Sequence, residues 1–346
     1  MAKLKFFDVF CGAGGTSLGL KAAGLKPVAG LDISPICAKT YRSNFRIKVY
    51  VMDAFNSNFT EILKDIDADV LVGCPPCQGF SRLKVSRGAQ NDPRNGLVEV
   101  FAKAVSIMKP TYVLFENVPR VEKHPGFKKL ISVLEELGYN YIYGKLNAAD
   151  YGVPQRRIRL VLVAGPSRVE LPPPGHGKPG SPKVRRGDLK PWRTVREAIG
   201  DLPPVEHGET HPDDRLHSAK RLPDHWLRLI RAIPKNGGTR LDAPMDLWLP
   251  THKKKRRDGQ FVYPDVFGRL HWDKPAPTIT TGFTDPSKGR YVHPEQDRGL
   301  TLREGARLQT FPDDFKFHGS YTQIARQIGE AFPPLLAQKI FEYITR

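Results

Sequence analysis

Cys77, Glu116, Arg157 and Arg159 are the residues whose types and places could do chemistry together. Cys77 closes the run Gly73-Cys74-Pro75-Pro76-Cys77, which continues as Gln78-Gly79-Phe80-Ser81 after a predicted strand at Asp69–Val72. In open α/β sheets the ligand crevice lies just outside the C-terminal ends of the strands, which is where this cysteine falls. The next predicted strand, Tyr112–Glu116, ends Phe115-Glu116-Asn117-Val118 and carries a carboxyl group to the same edge. Gln155-Arg156-Arg157-Ile158-Arg159 leads into a strand at Arg159–Ala164 and puts alternate arginines on one face. A nucleophile, a carboxyl group and guanidinium groups would then meet on one rim. Other readings stay open on these residues alone. Cys74 and Cys77 have the spacing of half a zinc site or a redox pair, but no second such pair and no close histidine pair follows. Glu116 could be a strand-end ion pair, and the arginines phosphate contacts or plain surface charge.

A second group of residues points to a nucleoside. Asp8-Val9-Phe10-Cys11-Gly12-Ala13-Gly14-Gly15 reads as a strand, a glycine turn and a helix start. Such a turn lets the backbone pass under a ligand and offers N–H groups at a helix N-terminus. The dinucleotide pattern needs a third glycine, and Ser17 stands there, so a pyrophosphate is not specifically indicated. Asp32, about 20 residues beyond the glycines, is placed to accept from ribose hydroxyls. Asp53, past the third strand, could accept from an adenine amino group. A plain strand-to-helix turn is the competing reading.

These residues need elements to position them. Residues 1–165 alternate predicted strands (Leu4–Phe10, Pro27–Leu31, Lys48–Val51 and those above) with helical runs at Ser17–Ala23, Pro35–Asn44, Leu97–Met108 and Pro125–Leu137. Alternation of this kind predicts a doubly wound α/β sheet. From Pro166 to Gly268 the texture changes: 15 of the 31 prolines fall there, with 20 Lys+Arg against 13 Asp+Glu and the run Lys253-Lys254-Lys255-Arg256-Arg257. That stretch is expected to be a smaller, loop-rich domain inserted into the first, which resumes at Arg269 and ends in two helical pieces split by Pro333-Pro334.

The chain has 346 residues and a formal charge of +18, a field that attracts polyanions, nucleic acid foremost. It has no run approaching the ~20 apolar residues of a membrane helix. Its N-terminus lacks signal-peptide architecture, so a cytoplasmic, nucleoid-associated protein is expected. Four cysteines are too few for a disulfide framework in a chain this long.

The blocks occur in a telling order: Asp-x-Phe-x-Gly-x-Gly-Gly, Pro-Cys-Gln, Glu-Asn-Val and Gln-x-Arg-x-Arg. Asp92-Pro93-Arg94-Asn95 and Tyr151-Gly152-Val153-Pro154 fall between them. Arg269, Pro275-Ala276-Pro277-Thr278, Leu302-Arg303-Glu304, Ala306-Arg307-Leu308-Gln309, Phe311-Pro312-Asp313 and Gln327-Ile328-Gly329 follow. Together they resemble the DNA (cytosine-5) methyltransferase family of restriction-modification type, over nearly all of the chain except Pro166–Gly268. The resemblance implies a Rossmann-like sheet that binds S-adenosylmethionine, no metal, and duplex DNA as substrate. A restriction endonuclease would be a separately acting partner, and one chain carrying both cofactor site and reader suggests a monomer. Transfer of methyl to tRNA cytosine, or DNA binding without turnover, are the alternatives; a nicotinamide oxidoreductase is disfavoured by Ser17.

By that resemblance Cys77 is the thiolate that adds to carbon 6 of cytosine, making carbon 5 nucleophilic toward a methyl sulfonium. Glu116 hydrogen-bonds or protonates ring nitrogen 3, which requires a raised pKa. Arg157 and Arg159 contact the base or the cysteine loop. Phe10, Gly12, Gly14, Gly15, Asp32, Asp53, Pro76, Leu97, Glu330 and Ala331 would surround the cofactor. Glu330 is a departure, since the family usually has asparagine after the glycine; Cys11 and Cys74 are milder variants that read as small packing residues. The base must leave the duplex to be reached, so a basic cleft should lie between the sheet edge and the insert. Gln78, Ser81, Arg94, Gln155, Thr239, Arg240, Lys253 and Lys254 are the candidate DNA contacts, with residues 166–268 as the target-recognition domain.

Overall fold

The computed structural model describes residues 3–76 and 96–345. Its organising feature is a seven-stranded sheet in the order β3-β2-β1-β4-β5-β7-β6. The strands are β1 (Lys5–Val9), β2 (Lys26–Asp32), β3 (Lys48–Val51), β4 (Val70–Gly73), β5 (Tyr112–Asn117), β6 (Asn140–Asn147) and β7 (Ile158–Gly165). β1 to β5 are parallel, while β7 runs antiparallel to both β5 and β6. The order reverses between β1 and β4, which makes a topological switch point where a crevice opens at the C-terminal edge. Phe6, Phe7, Val70, Leu71, Val72, Val113, Leu114 and Phe115 are fully buried, as expected of central strands covered on both faces.

One face is covered by α3 (Asn58–Asp65), α4 (Leu97–Met108) and α5 (Pro125–Glu136), whose apolar stripes join Phe7, Val9, Leu71 and Phe115 in one core. The other is covered by α1 (Gly15–Ala22) and by the C-terminal helix α10 (Pro334–Ile344). A Cβ on Gly19 would lie 2.2 Å from the Pro334 carbonyl oxygen, so α1 and α10 touch backbone to backbone. The last helix thus returns to the first crossover and locks chain end to chain start. α2 (Pro35–Phe45) starts with the Ser34 hydroxyl accepting from the Cys37 N–H and with proline in its first turn.

Two features escape the sequence pattern. β6 has no counterpart among the predicted strands, because an edge strand half open to water, with Asn and Gly in its sequence, lacks apolar alternation. α3 is short and follows a turn rich in Asn and Ser. The tail divides as expected into α9 (Tyr321–Glu330) and α10, with Pro333 capping the latter.

Residues 195–199, the short helix α6, pack with Leu270, Trp272, Ile279, Phe283, α8 (Leu302–Leu308) and α9 in a second core. Residues 222–267, including α7 (Asp224–Ala232), form a third with Val292. Regular structure is sparse there, and three fully buried arginines take its place. Arg269 donates to the carbonyls of Ile230, Ile233, His293 and Gln296 and pairs with Asp297. Arg298 reaches the Val205 and Gly299 carbonyls and forks onto Glu304 at 2.7 and 2.9 Å. Arg240 donates to the carbonyls of His252, Val262 and Tyr263. Loop carbonyls that no ladder satisfies cost free energy when buried, and a guanidinium with five donors can serve several at once.

Candidate active site

The glycine turn leaves β1 by a sharp reversal. Phe10 adopts φ 68°, and the N–H groups of Phe10 and Cys11 both donate to the Leu31 carbonyl, at 2.8 and 3.0 Å. A Cβ on Gly14 would strike the Phe45 ring at 2.4 Å, and one on Gly15 the Phe332 carbonyl at 2.5 Å. These two glycines are needed by the protein's own packing. Gly12, at φ 51°, differs: a Cβ there would meet nothing within 4 Å. The turn therefore presents open space over Gly12, the approach a ligand needs.

Asp32, at the end of β2, accepts from the Gly12 N–H at 2.9 Å and the Ser34 N–H at 2.8 Å. Burial raises its pKa, partly opposed by those two bonds and by the Arg326 charge. Beneath the turn Asp8, 1% exposed, bonds the Ser17 hydroxyl, which also meets the Tyr41 hydroxyl at 2.7 Å. Burial pushes the Asp8 carboxyl up to about 7. Asp53, past β3, is exposed and accepts from the Phe55 N–H at 3.0 Å. Ile33 (64% exposed) and Phe55 (52% exposed) are large apolar side chains left open beside these carboxylates, and the Phe55 ring lies over Gly96 at the start of α4, next to buried Leu97. Neither stands out in the sequence, since an exposed apolar residue is recognisable only once burial is known.

Across the switch point the Thr16 hydroxyl and the Cys74 thiol are 3.4 Å apart, joining the first turn of α1 to the loop after β4. The Asn117 side-chain amide, at the end of β5, donates to the Pro75 carbonyl at 3.1 Å and holds the second loop from its other side. Pro76, the next residue in that loop, is half-buried. Cys77, Gln78, Ser81 and Arg94 lie outside the described residues.

Glu116 is 7% exposed, and Arg159 Nε lies 3.0 Å from its carboxylate. Glu116 pairs with Val161 in the β5–β7 ladder, which makes Arg159 its diagonal neighbour on the same face. Burial raises the Glu116 pKa; the charges of Arg159 and Arg157 oppose the shift, and the Cys74 thiol lies within bonding reach. Arg157, 2% exposed, donates to the carbonyls of Ile279 (2.9 Å) and Gly329 (3.2 Å). It ties the chain just before β7 to the last turn of α9 and to Ile279.

Gln155 joins the same scaffold. It is fully buried and bonds the Leu308 carbonyl, the Gln309 side chain and the Ile279 N–H. Gln309 in turn donates to the carbonyls of Ile328 and Ala331. A Cβ on Gly329 would fall 2.4 Å from the Thr280 backbone, so the turn admits only glycine there. Glu330 is exposed and pairs with Arg326 at 2.9 Å, while Ala331 packs beside Gly15. Arg326 is felt electrostatically at Asp32 and Glu330 at Cys37, which puts both on the Asp32 side of the sheet edge.

Of the residues expected to face DNA, Lys253 and Lys254 are exposed. Thr239 caps the short turn after it by bonding Leu241 and Asp242. Gln155 and Arg240 are both 0% exposed; the Gln155 amide and the two terminal nitrogens of Arg240 bond the protein's own backbone and side chains, and the Arg240 Nε is buried with no hydrogen-bond partner among the described residues, so this conformation presents neither to a ligand. Among the described residues no group of acidic, histidine and cysteine side chains could hold a metal ion. No helix among them is long and apolar enough to cross a membrane.

Residues 4–346 match the family description "C-5 cytosine-specific DNA methylase". A type II methylase of Herpetosiphon aurantiacus, M.HgiDII, is 36% identical over 98% of this chain and 94% of its own length. The type II methyltransferase M1.HphI of Haemophilus parahaemolyticus is 35% identical over 99% of this chain and 87% of its own. Among solved structures, a Dnmt2 of Spodoptera frugiperda superposes with a TM-score of 0.65 at 17% identity, covering 99% of this chain and 100% of that one, a likeness of fold.

Proposed function

The chain belongs to the C-5 cytosine-specific DNA methylases, and from that premise we propose that it methylates carbon 5 of a cytosine flipped out of a specific duplex site, with Cys77 as nucleophile. The observation that carries the mechanism is Glu116: a buried carboxyl group with a raised pKa, next to Arg159 and one residue from the Asn117 amide that holds the Pro75 carbonyl. S-adenosylmethionine fits the residues present. The open space over Gly12 would admit its backbone-facing side, Asp32 and Asp53 its hydroxyl and amino donors, and Ile33 and Phe55 the faces of its adenine. Phe10, Gly14, Gly15, Pro76, Leu97, Glu330 and Ala331 would complete that site. When bound, it supplies a methyl group on a sulfonium.

The Cys77 thiolate adds to carbon 6, and Glu116 donates to ring nitrogen 3 as electrons move onto the ring. Arg159 orients the Glu116 carboxyl and limits how far its pKa rises; Arg157 holds the turn at Gly329 against the sheet. Once carbon 5 carries the methyl group, its proton passes to water, ring nitrogen 3 returns its proton to Glu116, the carbon 6–sulfur bond breaks, and the thiolate is restored. The base must leave the stack to reach Cys77, at a cost of a few kcal/mol.

Residues 1–165 with 269–346 form the catalytic part in this reading, and 166–268 the target-recognition part. Ser81, Gln78 and Arg94 in the catalytic part, and Thr239, Lys253 and Lys254 in the target-recognition part, are the DNA contacts. In this reading the chain works as a monomer in the cytoplasm at the nucleoid, and a cognate restriction endonuclease would act separately from it. The test is nucleoside mass spectrometry on mixed-sequence duplex DNA incubated with protein and S-adenosylmethionine, with C77S as control. 5-Methyldeoxycytidine formed by the wild type alone is the expected result; none from the wild type, or an equal amount from C77S, refutes the mechanism.

A further inference from the structure

The basic run that follows His252 is not a loose charged loop. Lys255 and Phe261 form an antiparallel bridge, Val262 N–H donates to the Lys254 carbonyl at 3.0 Å, and Arg256 N–H donates to the Gln260 carbonyl at 2.7 Å. The turn closes with Gly259 N–H on the Arg256 carbonyl at 3.1 Å, with Gly259 at φ 78°. Asp258-Gly259 is thus a hairpin turn of the kind in which glycine takes the left-handed position. Lys253, Lys254, Lys255, Arg256 and Arg257 are all exposed, and among the described residues no ion pair reaches any of them. Five like charges in succession repel one another unless a polyanion lies against them.

A two-stranded hairpin is marginal by itself in water. This one is gripped from below. Arg240 donates to the carbonyl of His252 on one side of the hairpin and to those of Val262 and Tyr263 on the other, at 3.4, 2.9 and 3.1 Å. Its guanidinium also stacks on Trp248, 5.0 Å from the ring centre, and Trp248 meets Phe261 edge-on. No carboxylate pairs with Arg240 among the described residues. A buried cation held by carbonyls alone is a poor way to gain stability. What it does provide is direction: one rigid fork bound to both ends of the hairpin sets the angle at which the hairpin projects. Tyr263, beside that fork, is 59% exposed, with its backbone at φ 52° in the left-handed region that tyrosine rarely adopts.

Resting on the proposed action on duplex DNA, we infer that the hairpin Lys254–Val262 enters a groove of the duplex at the target site, and that Arg240 is the positioning residue that aims it. A two-stranded β-ribbon has the width the major groove admits. The basic side chains contact the flanking phosphates, while the Asp258-Gly259 tip approaches the bases.

The test compares four proteins with the wild type. K254Q/R256Q/R257Q removes charge from the hairpin. K103Q/K128Q/K129Q removes the same charge from exposed positions on α4 and α5. R240M and R240K alter the clamp. Affinity for a mixed-sequence duplex is measured against salt concentration, and the methylated positions in mixed-sequence DNA are sequenced. The hairpin variant is expected to lose about tenfold or more in affinity, and its log–log salt slope to shrink by about two to three, near 0.9 for each phosphate no longer neutralised. The helix variant should keep the slope. Folded R240M should keep the salt slope but relax the choice of site, and R240K should restore it only in part, because an ammonium cannot span three carbonyls. An unchanged slope and site pattern in the hairpin variant, or an equal loss in the helix variant, overturns the docking assignment. A lowered melting temperature with the site pattern intact in R240M overturns the positioning role. If the wild type methylates no DNA, the proposed function fails, while the salt-slope comparison still decides where polyanions bind.

Discussion

Arg159 Nε lies 3.0 Å from the Glu116 carboxylate because the two occupy diagonal positions of an antiparallel ladder, 43 residues apart in sequence. The pair is nearly closed to water, and its balance of burial against opposite charge sets when Glu116 can donate a proton.

E116Q should leave the fold intact and lower kcat by roughly 10²–10⁴-fold, the range for loss of a general acid. The proton-bearing form is the active one, so kcat/KM should fall as pH rises through the Glu116 pKa. In R159M the opposing charge is gone, the pKa rises further, and that alkaline limb should move to higher pH. Steady-state pH profiles of both variants check the sign; a limb that moves to lower pH in R159M contradicts it.

Asn117 acts on the cysteine loop through the Pro75 carbonyl. N117A should cost on the order of 1–3 kcal/mol of stability, as for a buried donor–acceptor pair broken on one side. It should also slow alkylation of Cys77 or methyl transfer by tenfold or more. Differential scanning calorimetry together with thiol-labelling rates separates the two effects; a loss of stability with unchanged thiol reactivity would remove Asn117 from the site's support.

Asp32 holds the Gly12 N–H, and in the proposed reading it also accepts from the ribose of the cofactor. D32A should weaken S-adenosylmethionine binding about 10- to 100-fold, as expected where a charge-assisted hydrogen bond and a turn support are both removed. Titration calorimetry reads this directly, with duplex affinity in the absence of cofactor expected to stay at the wild-type value.

Acid should unfold the Arg298–Glu304–His293 cluster first. Burial would raise the Glu304 pKa, but the Arg298 charge and fork overcome it and bring it down to about 2. Burial, aided by Arg298 and Arg269 against the pull of Glu304, lowers His293 to about 4. Both groups bind protons more readily in the unfolded chain. Stability is therefore full above the ordinary histidine value of 6.5, falls as pH drops from there toward 4, and falls again between 4.5 and 2. Against the opposite contribution of Asp8, urea midpoints measured from pH 8 to pH 4 should change in the wild type relative to H293Q by a loss that grows as pH falls below 6.5; an equal pH dependence in both would exclude the histidine.

Asp8 works in the opposite direction. Its folded pKa of about 7 lies above the ordinary 3.8, so stability is lost as pH rises between those values. D8N, which keeps an acceptor for Ser17 without the charge, should raise the melting temperature at pH 8 relative to pH 5. A difference of the opposite sign would mean that the carboxylate is stabilised as an anion.

The parallel half of the sheet, the glycine turn and the places of Asp32 and Glu116 at strand ends are legible in the order of the residues alone. Those follow from local periodicity and from residues whose backbone needs are their own. The sequence also held the family's blocks in order, enough to state the reaction as an expectation. Tertiary structure decided the rest. Whether a polar side chain faces a ligand or the core depends on partners far along the chain: Gln155 and Arg240 belong to the fold because Leu308, Gln309 and Val262 are brought to them. The diagonal of Glu116 and Arg159 needs β7 to run antiparallel, and the bridge from Thr16 to Cys74 needs the sheet to reverse its order between β1 and β4. Nothing in the spacing of Lys253–Arg257 distinguishes a solvated run from an aimed hairpin; the carbonyls that Arg240 gathers from both of its sides do.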